Sequence, residues 1–156
     1  MIVVDIPGFG HLELKNLVCD FSGTLSVDGI MLAGVRERLE QLSSMVDIHI
    51  LTADTHGKVE EQLAGTNWQL TMLTGENQDA EKSRYVEKLG SETVAAIGNG
   101  NNDRKMLAAA RIGIAVCLNE GLAIDTLKAA TIMTGSIQDA LDLLLSPDRL
   151  KATLRF

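Results

Sequence analysis

Apolar residues along this chain fall in short runs, and stretches of helical spacing separate the runs. Residues 17–21, 46–51, 68–73, 93–97, 112–116 and 130–133 read as strands, the more apolar of them buried on both faces. Between the first two, Val35, Leu39, Leu42 and Met45 recur at helical spacing, with Arg36, Glu37, Arg38, Glu40 and Gln41 among them. Residues 57–64, 78–89, 103–110 and 122–128 continue the pattern as helices. Helices at 137–145 and 147–154 close the chain, and Pro147 suits a first helical turn. Two hairpins are also expected. Residues 2–6 and 11–15 flank Pro7-Gly8-Phe9-Gly10, and residues 25–27 and 30–32 flank Asp28-Gly29, a pair suited to a type I′ turn.

Strands alternating with helices of this length predict an α/β fold. Its three layers would be a parallel, Rossmann-like sheet with helices on both faces, joined by right-handed crossovers. No linker, repeat or low-complexity tract interrupts residues 1–156, so a single domain is expected. In such sheets ligands bind beyond the carboxyl ends of the strands. That rule gathers Asp20, Thr52 and Gly98-Asn99-Gly100 on one edge.

Composition narrows the picture. A 46% hydrophobic and 22% charged chain is globular rather than disordered, and 3% aromatics leaves the core to aliphatic side chains. The net charge of −7, with no basic block, excludes nucleic acid as an expected partner. No apolar run approaches the ~20 residues of a membrane span, and the N-terminus lacks a signal-peptide pattern. A soluble, cytoplasmic protein is expected. Cys19 and Cys117 lie in apolar runs without a paired spacing and are expected as buried, reduced thiols.

The chemistry concentrates in Leu17-Val18-Cys19-Asp20-Phe21-Ser22-Gly23-Thr24-Leu25. An apolar strand delivers one carboxylate to its end, and a small, glycine-containing turn follows. This arrangement presents a nucleophilic aspartate to a phosphoryl group. Phosphoryl transfer also needs a hydroxyl or amide donor, a cation and a metal clamp. Thr52, Lys82 and Gly98-Asn99-Gly100-Asn101-Asn102-Asp103 offer one of each at predicted element ends. Singly, each has an ordinary role. Asp20 could occupy a turn, Thr52 could end a strand with Asp54 capping the next helix, and Lys82 could be a surface lysine. Asn102 and Asp103 could cap a helix. Their order along the chain is what makes the set informative.

That set resembles the four motifs of the haloacid-dehalogenase-like superfamily, and more narrowly the phosphorylation domain of P-type ion pumps. Asp20-Phe21-Ser22-Gly23-Thr24 is similar to the pump pattern D-K-T-G-T. Thr52-Ala53-Asp54 is similar to T-G-D, and Gly98 to Asp103 to G-D-G-x-N-D. The resemblance implies that Asp20 becomes an aspartyl-phosphate, and that Gly23, Thr52, Ala53, Lys82 and Asn102 bind the phosphoryl group. It implies Mg²⁺ held by Asp20, the carbonyl of Ser22, Asn99 and Asp103. It places the family's flap at the Asp28-Gly29 hairpin.

Two positions depart from the pattern. Ser22 replaces a general-acid aspartate, so a ~10²–10⁴-fold contribution is expected to be missing and turnover to be slow. Asn99 replaces a carboxylate ligand, which weakens the expected hold on Mg²⁺. The short spacings from Asp20 to Thr52 and from Thr52 to Lys82 leave no room for a cap or a nucleotide-binding domain. The expected substrate is a phosphorylated small molecule or phosphoprotein, and an open, uncapped site favours self-association. Two other readings stay open: a catalytically weak binding or regulatory module on this fold, and a response-regulator-like receiver.

Overall fold

In a computed structural model, described for residues 1–53 and 57–156, the strands line up almost as the apolar runs predict. The chain opens with an antiparallel hairpin, β1 (Ile2–Ile6) and β2 (Gly10–Leu14). Next come β3 (Asn16–Asp20) and a second hairpin, β4 (Ser26–Val27) and β5 (Ile30–Met31). Then follow α1 (Val35–Leu42), β6 (Asp47–Thr52), α2 (Lys58–Leu63), β7 (Gln69–Met72) and α3 (Gln78–Leu89). The rest is β8 (Val94–Gly98), α4 (Arg104–Ala109), β9 (Ile112–Val116), α5 (Ile124–Ala129), β10 (Ile132–Thr134), α6 (Ile137–Leu145) and α7 (Pro147–Leu154).

Six strands form one parallel sheet in the order β10-β9-β8-β3-β6-β7. β3, β8 and β9 are buried at every position, as expected of strands covered on both faces. Alternate residues therefore feed two cores. Leu17, Cys19, Ile50 and Ile97 pack with α1, α6 and the first hairpin, while Val18, Leu51 and Ala96 pack with α3 and α4. No cap domain is present among the described residues. β3 lies between β6 and β8, so the ends that carry Asp20, Thr52 and Gly98 are neighbours.

Three details differ from the sequence reading. The helix expected at 103–110 begins as a one-turn 3₁₀ helix over Asn101–Asp103, and α4 follows. The helix drawn through Met45 stops at Leu42, because Ser43 and Ser44 turn their hydroxyls back onto the carbonyls of Glu40 and Gln41. Cys117, expected buried, is exposed: it lies one residue past β9, where the chain leaves the sheet. Cys19 is buried as expected, and burial pushes its thiol pKa up.

Candidate active site

Asp20 ends the central strand, and its two oxygens have different partners. Oδ1 accepts from the Lys82 ammonium at 2.7 Å, and Oδ2 accepts from the Thr24 hydroxyl at 3.0 Å. Lys82 reaches in from the second turn of α3 and also donates to Asp103 Oδ1 at 2.7 Å. Lys82 is 1% exposed and Asp103 fully buried. The ordinary surface-lysine role is therefore excluded by burial.

Asp103 stands at the N-cap position of α4, but its side chain makes no cap bond to that helix. Its Oδ2 accepts the backbone N–H groups of Asn99 and Gly100, at 2.9 and 3.0 Å, and so braces the loop that carries Asn99. Gly98 makes this possible, because a Cβ there would come within 2.5 Å of the Asp103 side chain. Asn99 in turn donates Nδ2 to the Gly121 carbonyl at 3.1 Å, which aims Oδ1 at the Thr24 hydroxyl, 3.1 Å away. Thr24 has one proton to share between Asp20 Oδ2 and Asn99 Oδ1. These two oxygens therefore converge on one point.

The buried set carries two carboxylates against one ammonium. Burial raises the Asp20 pKa from 3.8 to about 7, the Asp103 charge adds to the rise, and Lys82 pulls back. Burial works against the Lys82 ammonium too, but Asp20 and Asp103 outweigh it and hold its pKa above the usual lysine value. The Asp20 rise is therefore chiefly a cost of burial, whereas the Lys82 rise comes from the two carboxylates around it.

The remaining predicted residues divide. Thr52 is buried at the end of β6, one residue past Leu51, the ladder partner of Asp20, and Ala53 follows it. Asp54 falls outside the described residues. Ser22 is exposed and bridges to Ser26 at the base of the second hairpin. Asn102 donates its Nδ2 to Gln78 Oε1 at 3.1 Å. It lines a cavity of about 420 Å³ together with Glu76, Asp79, Asn101, Arg104 and Asp125. Gly23 lies in the turn between Asp20 and the second hairpin. Its N–H is donated to the Ser26 carbonyl at 2.9 Å, so this amide is already engaged. Its missing Cβ matters more, because one would lie 2.6 Å from Asn99 Nδ2, and its φ is +78°. Thr24 was missed as a site residue. Its spacing four residues after the aspartate, at the end of a small-residue turn, was the available signal.

The donor set bears on a metal. Among the described residues, no group of three or more His, Cys, Asp or Glu side chains is placed to hold an ion. Asp20 Oδ2 and Asn99 Oδ1 are nevertheless hard oxygens that share the Thr24 hydroxyl, beside a net negative charge. Mg²⁺ is commonly held by one or two carboxylates plus waters and substrate phosphate, and the residues fit that mode.

Comparison with known proteins agrees with this geometry. The family pattern described as haloacid dehalogenase-like hydrolase matches residues 42–139, which include Thr52, Lys82 and Asn99 to Asp103. The chain belongs to that family of hydrolases. The protein MJ0073 of Methanocaldococcus jannaschii is 45% identical over 78 residues, covering 47% of this chain and 84% of that protein. The potassium-transporting ATPase ATP-binding subunit 1 of Nostoc sp. is 34% identical over 97 residues. That match covers 60% of this chain but 14% of the pump subunit. Among solved structures, 3-deoxy-D-manno-octulosonate 8-phosphate phosphatase from Moraxella catarrhalis superposes with a TM-score of 0.66 at 20% identity. The superposition covers 91% of this chain and 94% of the phosphatase, a likeness of fold.

Proposed function

We propose that this protein is a Mg²⁺-dependent phosphatase or phosphotransferase acting through an aspartyl-phosphate at Asp20. The observation that supports it most is the placing of the Asp20 carboxylate at the central strand end, oriented by Lys82 at 2.7 Å and Thr24 at 3.0 Å. A carboxylate fixed on both oxygens can attack phosphorus without reorienting. The Moraxella phosphatase was solved in complex with a magnesium ion, a phosphate ion and a KDO molecule, which supports the same class of reaction here.

In the first step an Asp20 oxygen bonds to phosphorus and the ester P–O bond breaks. The leaving oxygen takes its proton from solvent, since Ser22 supplies no usable acid. In the second step water attacks the acyl phosphate, releasing phosphate and restoring the carboxylate. Lys82 neutralises charge on the phosphoryl oxygens, and Thr52 offers a hydroxyl on the adjacent strand end. Asp20, Asn99 and the Ser22 carbonyl would hold Mg²⁺, which offsets the negative charge of the phosphoryl group. Asp103 keeps Lys82 and the Asn99 loop in place and has little capacity left for a direct metal bond. Good leaving groups, such as acyl and aryl phosphates, are the expected substrates, and a phosphorylated small molecule suits the open site.

The test is hydrolysis of acetyl phosphate and p-nitrophenyl phosphate with and without Mg²⁺, using Asp20→Asn as control. Intact-mass measurement should also detect a phosphoryl adduct on the wild-type chain. Equal rates in both proteins would sink the proposal. Ser22→Asp should raise turnover on alkyl phosphates by about tenfold or more. A second reading, a binding or regulatory module, is favoured by Ser22 and Asn99; it predicts phosphate binding with no adduct.

A further inference from the structure

The hairpin beside Asp20 is too short to hold itself. β4 and β5 have two residues each, paired Ser26 with Met31 and Val27 with Ile30. Even a longer isolated two-stranded hairpin is marginal in water. Its Asp28-Gly29 turn has positive φ at both residues, 52° and 78°, which sets the twist but adds no contact. The base is tied by Ser26 Oγ to the Phe21 carbonyl at 3.0 Å and by Leu32 N–H to the Leu25 carbonyl at 3.0 Å. The tip needs another support.

Gln62 provides it from α2. Its Oε1 accepts the Met31 N–H at 2.6 Å, and its Nε2 donates to the Gly29 carbonyl at 2.7 Å. A residue on a parallel strand uses the same pair of groups, the carbonyl before and the amide after its opposite number. The carboxamide thus fills one ladder position along the outer edge of β5. Gln62 is itself anchored: Nε2 also donates to the Lys58 carbonyl at 3.0 Å, and Arg36 Nη1 donates to the Gln62 carbonyl at 3.0 Å. On the opposite side, Asp28 N–H reaches Glu120 Oε2 at 3.3 Å, a longer and exposed contact.

We propose that Gln62 is the positioning residue that holds this hairpin as a fixed wall beside Asp20, standing in for a missing neighbouring strand. The role rests on Asp20 being the reacting centre. The hairpin base pairs Ser22 with Ser26 and takes up the Gly23 amide, so displacement of the hairpin moves the turn that follows Asp20. Because α2 comes soon after Thr52, the strut also links the hairpin to the second strand end of the site. Substrate positioning is the property that should respond.

The experiment compares wild type, Gln62→Ala and Gln62→Glu by amide hydrogen exchange and by p-nitrophenyl phosphate kinetics. Gln62→Ala should speed exchange at Met31 by about tenfold or more while the β3 and β8 amides stay protected. KM should rise by about fivefold with kcat changed less than twofold, because positioning rather than chemistry is lost. Gln62→Glu keeps the acceptor for Met31 and should fall between the two. Unchanged Met31 exchange in Gln62→Ala, or faster exchange with KM unmoved, overturns the proposal. If Asp20→Asn leaves the wild-type rate unchanged, the reading of Asp20 fails instead, and the exchange measurement still decides whether Gln62 holds the hairpin.

Discussion

Asp20 and Asp103 share Lys82, yet the two carboxylates should respond oppositely to loss of charge. Asp20 is the destabilised partner, with a pKa raised from 3.8 to about 7. The folded state therefore holds its proton more tightly than the unfolded chain does. Its effect on stability worsens as pH rises from about 4 to 7. Asp20→Asn in metal-free buffer at pH 8 should melt at or above wild type, since Lys82 keeps Asp103 as a partner. Asp103→Asn instead disturbs two backbone N–H bonds and weakens the hold on Lys82, and should cost about 3–5 kcal/mol. Urea melts of the two variants check this; a larger loss in Asp20→Asn would refute it. Asp20, Lys82 and the Asn99 loop were legible only as an ordered set, because each residue type at its place also has an ordinary structural role. Thr24 was not singled out, although it lies four residues from Asp20, because its hydroxyl joins Asp20 to Asn99 only once the chain has folded.

At the scale of elements, α3 carries Lys82 and is tied to the sheet by a polar chain on its inner face. His49 of β6 meets Tyr85 Oη through Nδ1 at 2.9 Å and Asn16 Oδ1 through Nε2 at 3.0 Å. The Asn16 oxygen can only accept, so Nε2 carries the proton and Tyr85 donates to Nδ1. Burial lowers the His49 pKa, with Asp47 opposing weakly. The unfolded chain then binds the proton better, so the His49 contribution is complete above about pH 6.5 and is lost as pH falls below it. His49→Asn should cost about 1–3 kcal/mol at pH 8 and flatten the fall in stability between pH 7 and 5. Parallel slopes in variant and wild type would contradict this. Periodicity located α3 to the residue, from Gln78 to Leu89, because its apolar positions repeat regularly. It gave no hint of the His49 to Tyr85 bond, which depends on how the helix lies across the sheet.

Across the whole molecule, the first hairpin is part of the core rather than an appendage. Ile2, Val4, Ile6, Leu12 and Leu14 join the cluster that contains Leu17, Leu39, Leu141 and Leu150. Its outer face shows Val3, Asp5, His11 and Glu13. Leu12→Ala should therefore lower global stability by about 2–5 kcal/mol and leave one unfolding transition. A separate early transition in the hairpin would show independent folding. No helix among the described residues is long and apolar enough to cross a membrane. The self-association expected for an open site remains a proposal, read by sedimentation or light scattering.

The sequence by itself determined the parallel α/β architecture, the glycine turns and the residue types of the site. Hydrophobic periodicity and steric demands at glycine act over a few neighbouring positions, so the chain displays them directly. Only tertiary structure decided that Cys117 is exposed, that the Asp103 side chain braces the Asn99 loop and holds Lys82, and that Gln62 supports a hairpin. Each of these depends on which distant groups meet, and on the burial that makes an unmet hydrogen bond or charge costly.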